Sequence, residues 1–347
     1  MNRTKRIQKL QGNLEFPLLV THLPDIFYLS GFTGSTGFLL IFPRDPVIFL
    51  CDGRYTTQAR EELTVQAQVL EFQGKVGAKI SEILRDYGEN QLLIDERVSV
   101  TLWQSLRTLG INPIPLPSPV KALRVQKDGE EITKMKQALT ISEQAFRRIM
   151  PLIRPGTRER DIAIELEHEI RLLGAEIAFP TIVAGGKRTA LPHASPSLRV
   201  LQKGEWVLID WGARFEGYCV DLTRVIYLGT PNRRFQEMFR RVQKAQNIAK
   251  DHLRAGVKAC QIDELVRKFF SQENIDAYFT HGLGHGVGIE IHEDPALNAQ
   301  SETVLEEGMI VTVEPGVYFS EWGGIRLESM VLITQDGCLT LDQIPIE

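Results

Sequence analysis

Three of the seven histidines in this 347-residue chain fall in one stretch, His281-Gly-Leu-Gly-His285-Gly-Val-Gly-Ile-Glu-Ile-His292-Glu. Glycines at 282, 284, 286 and 288 alternate through it, so the backbone can bend tightly and approach a bound group without Cβ crowding. A single histidine more often reads as a hydrogen-bonded core imidazole. Three among glycines and glutamates suit a metal site or an acid–base cluster better.

Four acidic residues extend the same chemistry. Asp210 ends the apolar run Val207-Leu-Ile, where an aspartate is expected to be buried, and a buried carboxylate has to be paired, protonated or metal-bound. Asp221 stands eleven positions on, a separation that lets a hairpin bring both side chains together. Beside Gly212 and Gly217 the same pair would equally suit turns. Glu314 closes Met309-Ile-Val-Thr-Val before a Pro-Gly turn, and Glu328 alternates with Ile325 and Leu327. Together Asp210, Asp221, Glu314 and Glu328 carry four negative charges, which two divalent cations would offset. His285 adds one imidazole, giving an oxygen-rich set that suits manganese, cobalt or iron at least as well as zinc. Two such ions ~3.5–4 Å apart lower the pKa of water toward ~7, which is the chemistry of a hydrolase.

The elements that must position these residues form two regions. With 347 residues the chain exceeds the ~250–300 at which a single core stops growing, so two domains are expected. Apolar runs at 17–20, 37–42, 47–51, 65–70 and 92–95 are strand-length, whereas 54–62, 76–87 and a segment capped by Ser99 and running to 109 carry helical spacing. Prolines at 113, 115, 117 and 119 mark a linker or an extended edge, and the boundary is placed near residue 120, giving domains 1–120 and 121–347. The second region opens with a helix over 129–150, followed by one N-capped by Thr157 and stopped at Gly174. After strands over 176–230 the order returns, with helices over 234–253 and around 262–269. Arg154, Gly156 and Ile162 match Arg254, Gly256 and Ile262 at one shift of 100 positions, which predicts an internal duplication with the site where the halves meet. The expected fold class is α/β (α+β).

Composition excludes several classes. Hydrophobic residues at 43% and charged residues at 24% suit an ordinary globular protein and argue against disorder. A net charge of −4 and a pI of about 6.1 offer no general attraction for nucleic acid or anionic lipid. No apolar run approaches the ~20 residues of a bilayer span, and Gln11, Asn13 and Glu15 interrupt the stretch after the basic start, so neither membrane segment nor signal peptide is expected. Cys51, Cys219, Cys260 and Cys338 lack zinc-ribbon spacing or scaffold density and read as reduced cysteines of a cytoplasmic protein.

These motifs resemble, over nearly the whole chain, the metallopeptidase family that includes Xaa-Pro aminopeptidase, Xaa-Pro dipeptidase (prolidase) and methionine aminopeptidase. The resemblance implies a small N-terminal α/β domain followed by a pseudo-twofold pita-bread catalytic domain. It implies Asp210 as a ligand of one metal, Asp221 and Glu328 as bridging carboxylates, and His285 and Glu314 as ligands of the other. Manganese or cobalt heads the expected ions, with zinc or iron as alternatives. It also implies that His193 in Ala190-Leu-Pro-His-Ala, His281 and His292 contact the scissile carbonyl and neighbouring groups, that Glu314 transfers a proton, and that Thr223 and Arg224 support the ligands.

Asp25-Ile-Phe-Tyr-Leu-Ser-Gly-Phe-Thr-Gly-Ser and Cys51-Asp-Gly-Arg-Tyr resemble the extra N-terminal domain of the Xaa-Pro enzymes, which methionine aminopeptidases lack. A peptide substrate with proline in second position and a homodimer are the corresponding expectations. Asp25 stands where many relatives have Asn, and Cys219 where many have Ser. Ala296, in His292-Glu-Asp-Pro-Ala, stands near where many dipeptide-cleaving relatives have Arg, which weakens any clamp on the C-terminal carboxylate of a dipeptide. The expectation therefore leans to an Xaa-Pro aminopeptidase acting on longer peptides. Xaa-Pro dipeptidase is the alternative, and a non-catalytic binding protein of the same fold is the rival from another class.

Overall fold

A computed structural model describes residues 2–44 and 46–345, which divide into two compact units, Met1–Arg124 and Val125–Glu347. The first is built on six strands, β1 (Leu18–Val20), β2 (Phe38–Ile41), β3 (Val47–Cys51), β4 (Gln68–Glu71), β5 (Gln91–Asp95) and β6 (Asn112–Leu116), in the order β4-β3-β2-β1-β5-β6. Its helices are α1 (Arg3–Gln11), α2 (Leu23–Ser30), α3 (Thr56–Glu62), α4 (Val76–Asp86), α5 (Val100–Thr108) and α6 (Pro119–Arg124). Leu19, Leu40, Ile48 and Leu92 of the sheet bury against Ile80, Ile83 and Leu84 of α4 and Leu106 of α5. The central strands therefore read as unbroken apolar runs rather than alternating ones. Pro113 and Pro115 lie in β6, an edge strand, where a missing N–H is tolerated.

The acid at position 25 has its own compensation. Asp25 is fully buried on α2 and accepts from Arg124 Nη1 at 2.6 Å and from Arg97 Nη2. Burial alone would raise its pKa, but His22 and the two guanidiniums outweigh it and hold the carboxyl below its usual range.

The second unit contains two helix pairs, α7 (Gly129–Ile149) with α8 (Glu159–Leu172) and α9 (Arg233–His252) with α10 (Ala259–Gln272). α8 and α10 have 14 residues each and begin 100 positions apart, as the repeat predicts. Equivalent turns precede them, with Gly156 at φ 95° and Gly256 at φ 85°, where glycine avoids the Cβ penalty. Thr157 is not the N-cap. α8 starts from Arg158, which makes no side-chain cap, because the residues before the helix are committed to strand pairing. Leu201 N donates to the Thr157 carbonyl and Arg158 bridges Val200, just as Leu305 N donates to Val257 and Lys258 bridges Val304. α7 opens instead on a capping box between Asp128 and Glu131.

The strands of this unit are β7 (Glu176–Ile177), β8 (Ile182–Gly185), β9 (Trp206–Trp211), β10 (Ala213–Phe215), β11 (Tyr218–Cys219) and β12 (Leu222–Tyr227) in the first half. The second half supplies β13 (Gly284–Gly286), β14 (Glu293–Leu297), β15 (Ile310–Val313), β16 (Gly316–Phe319), β17 (Gly323–Arg326), β18 (Ser329–Ile333) and β19 (Cys338–Thr340). They form a β12-β9-β8 sheet, a β14-β13-β15-β18-β19 sheet, a β11-β10-β7 sheet and a β16-β17 ribbon. Val242, Ala249, Ile262 and Val266 of α9 and α10 close a core with Val311, Val313 and Val331. Among the described residues no helix is long and apolar enough to cross a membrane.

Candidate metal centre

Each acidic residue sits where an apolar strand ends or turns. β9 is buried along its whole length, so Asp210 near its end is drawn inside, opposite Thr223 of β12. Asp221 immediately precedes β12, and the β10–β11 hairpin brings the chain back between them. Glu314 follows β15, and Glu328 lies between β17 and β18. His285 is the middle residue of β13, next to Gly284, where an added Cβ would lie 2.1 Å from the Thr312 carbonyl oxygen. That approach requires glycine.

The fold gathers His193, Asp210, Asp221, His281, His285, His292, Glu314 and Glu328 around one cavity of about 500 Å³. Ligand atoms of Asp221, His285 and Glu328 lie within 4.8 Å of one another. His285 Nε2 is 3.6 Å from Asp221 and 3.4 Å from Glu314. Its Nδ1 faces the Gly286 carbonyl at 3.0 Å; a proton donated there leaves the Nε2 lone pair turned toward the acids. His193 comes from an irregular segment whose ends are tied to buried Glu159, which accepts from Gly185 N, Arg188 Nε, and both N and Oγ of Ser197.

The electrostatics are those of a site built to receive cations. Burial, then the charges of Glu328, Asp210 and Glu314, push Asp221 well above the usual carboxylate range. Burial, then Glu314 and Asp210, do the same to Glu328, while burial lifts Glu314 to about 7. Burial also presses His281 and His285 down to about 4 and lowers His292, so the imidazoles stay neutral near pH 7. Oδ1 of Asp210, Oδ1 of Asp221 and Oε1 of Glu328 are buried without a hydrogen-bond partner. Buried carboxylate oxygens left in this way are expensive unless something positive meets them. The residues fit divalent ions.

A second layer holds these acids. Thr223 Oγ1 donates to Glu328 Oε2 at 2.6 Å, and Arg224 Nη1 donates to the Glu328 carbonyl at 2.6 Å. Arg326 Nη2 donates to Asp210 Oδ2 at 2.6 Å and Nη1 to the Tyr318 hydroxyl at 2.9 Å, which in turn lies 2.9 Å from His281 Nε2. Burial raises the Tyr318 phenol to about 12, so it remains a donor. Arg326 and Tyr318 were absent from the sequence-based site. The signal was available two positions before Glu328: an arginine in an apolar strand needs a carboxylate as much as the acid needs a cation. Phe179, Pro180, Ile182 and Ile291 give the cavity an apolar wall.

Carboxylates flanked by imidazoles and drawn from both repeated α/β halves are a donor set that fits a metallohydrolase. The chain matches the model of metallopeptidase family M24 over residues 133–335 and that of the creatinase/prolidase N-terminal domain over residues 5–126. It belongs to metallopeptidase family M24. An Xaa-Pro dipeptidase of Pyrococcus horikoshii is 31% identical, with 96% of this chain and 94% of the relative covered. The solved Xaa-Pro dipeptidase from Bacillus anthracis superimposes with a TM-score of 0.95 at 33% identity, covering 100% and 99% of the two chains. An X-Pro aminopeptidase from Thermotoga maritima gives a TM-score of 0.90 at 35% identity, covering 99% of each.

Proposed function

We propose that this chain hydrolyses the peptide bond before proline, with two divalent ions held by Asp210, Asp221, His285, Glu314 and Glu328. The observation that carries the metal assignment is the set of buried, unpartnered carboxylate oxygens facing one cavity. Bound ions would supply Lewis acidity and lower the pKa of water. Asp221 and Glu328 are the proposed bridging pair, each already crowded by the other acids. Glu314, a carboxylate lining the cavity 3.4 Å from His285 Nε2, is the group proposed to take a proton from the attacking water and return it to the proline nitrogen as that nitrogen leaves. His193 and His292 face the cavity as hydrogen-bond donors to the developing oxyanion, while His281 is anchored through Tyr318.

The proline preference rests on the N-terminal domain and on the names of the relatives. Those names favour Xaa-Pro dipeptidase over the aminopeptidase expected from sequence, and dipeptidase action is the leading assignment. Aminopeptidase action stays as the second candidate because Ala296, on β14 opposite His285, brings no charge for a dipeptide carboxylate, and because the Thermotoga maritima neighbour carries that name. Comparing kcat/KM for Ala-Pro, Ala-Pro-Ala and Ala-Ala-Ala separates them. A dipeptidase prefers Ala-Pro; preference for Ala-Pro-Ala selects the second candidate, and equal cleavage of Ala-Ala-Ala removes the proline assignment. Ala296→Arg should raise activity on Ala-Pro relative to Ala-Pro-Ala.

A further inference from the structure

Helix α10 carries a buried carboxylate that none of these steps uses. Asp263 is fully buried; its Oδ1 accepts from the Leu283 backbone N–H at 3.1 Å and its Oδ2 from Arg267 Nε at 2.6 Å, one turn along the helix. Arg267 continues outward. Its Nη2 donates to the His281 carbonyl at 2.6 Å and its Nη1 to the Phe279 carbonyl at 3.3 Å, with the guanidinium carbon 4.5 Å from the centre of the Phe279 ring.

The segment so gripped contains Gly282 and is only about to enter the short strand β13, so its own stiffness is low. Three backbone groups, two carbonyls and one N–H, are taken up by a single ion pair on a 14-residue helix. An i,i+4 pair on a solvated helix face has no reason to reach off its helix in this way. The ring of His281 leaves the chain between the Arg267 and Asp263 contacts and ends on the Tyr318 hydroxyl.

We propose that Asp263 and Arg267 form a positioning clamp that fixes the His281 backbone, and with it the His281 ring, for turnover of the Xaa-Pro substrate. Asp263 orients the guanidinium and holds Leu283; Arg267 holds His281. The clamp rests on the proposed function and on the expectation that His281 contacts the scissile carbonyl or its neighbouring groups. A misplacement of ~1 Å in such a residue can lower turnover ~10²-fold without removing a reacting group.

The test is a double-mutant cycle on the manganese-loaded full chain, reading kcat and KM for an Xaa-Pro substrate, bound manganese and melting midpoint. Arg267→Met should lower kcat ~10–10²-fold with manganese content retained. Arg267→Lys keeps a charge beside Asp263 but loses the fork, and should fall between Arg267→Met and the unmodified chain. In a His281→Ala background the further loss from Arg267→Met should shrink to less than ~3-fold, because the clamped ring is gone. An equal fold-loss in both backgrounds overturns the clamp while leaving the site assignment standing. Unchanged kcat in His281→Ala alone overturns the role of His281 and the clamp with it. If Arg267→Met fails to fold, the cycle is run with Arg267→Lys under the same criteria.

Discussion

Metal-free protein should lose stability as the pH rises above neutrality. Asp221 and Glu328 are held well above the usual carboxylate range by burial and neighbouring acids, and Glu314 at about 7. A folded-state pKa above the unfolded one means that the folded chain keeps protons the unfolded chain has released. Its stabilisation is complete below the unfolded pKa and is lost as pH rises through the folded one. The histidines act with the opposite sign at lower pH: His281 and His285, pressed from 6.5 to about 4, stay neutral while unfolded imidazoles charge, so stability also falls as pH drops from 6.5 toward 4. From about one pH unit above 6.5 those imidazoles are neutral in both states and the carboxyls set the slope. One proton still retained by the folded cluster is worth ~1.4 kcal/mol per pH unit, so each such proton lowers stability by that much between about pH 7.5 and about pH 8.5. For a domain of this size that is ~3–6 °C on the melting midpoint for each retained proton. Calorimetry of chelated protein at the two pH values reads it directly. Glu328→Gln should flatten the slope. Excess manganese should invert it, because the metal selects deprotonated ligands. A midpoint that is flat or rising over this range in the chelated protein would refute the electrostatic account.

Three further outcomes follow from the same geometry. His193→Ala and His292→Ala should retain bound manganese, measured by metal analysis, yet lose ~10²–10³ in kcat, whereas Glu314→Gln should lose both turnover and part of the metal. Gly284→Ala forces a Cβ toward the Thr312 carbonyl beside His285 and should cost ~1–3 kcal/mol in denaturant unfolding and weaken manganese binding. Asp25→Ala removes a fully buried carboxylate from Arg124 and from Arg97, which keeps Asp95, and should destabilise the first unit by ~3–5 kcal/mol, an effect that hydrogen exchange would localise to that unit.

The site was more legible than its scaffold. All eight nominated residues line one cavity, because an acid at the end of an apolar run and a histidine among glycines are each hard to explain by packing. Charge counting was less complete: matching four carboxylates to two divalent ions overlooked Arg326, whose contact with Asp210 already supplies one positive charge. With it, two ions leave room for an anionic ligand. The central strands and the four long helices of the second unit followed from periodicity, and the shift of 100 positions held to the residue for α8 and α10. α1, α2 and α6 were not anticipated. In α2 the run Ile26-Phe-Tyr-Leu suits a strand by composition, and the helix is set by Pro24 near its start and by Gly31 at φ 90° after its end. Thr157 was misread because strand pairing by its own backbone takes precedence over capping, a long-range contact that local composition does not carry.

Titrating metal-free protein with manganese while following release of the residue before proline from Ala-Pro and Ala-Pro-Ala tests the central claim most directly. The cluster of Asp210, Asp221, His285, Glu314 and Glu328 predicts no hydrolysis at zero metal, activity that saturates at two ions per chain, and loss of that activity in Asp221→Asn. Full hydrolysis by the metal-free chain, or unchanged metal-dependent activity in Asp221→Asn, would contradict it.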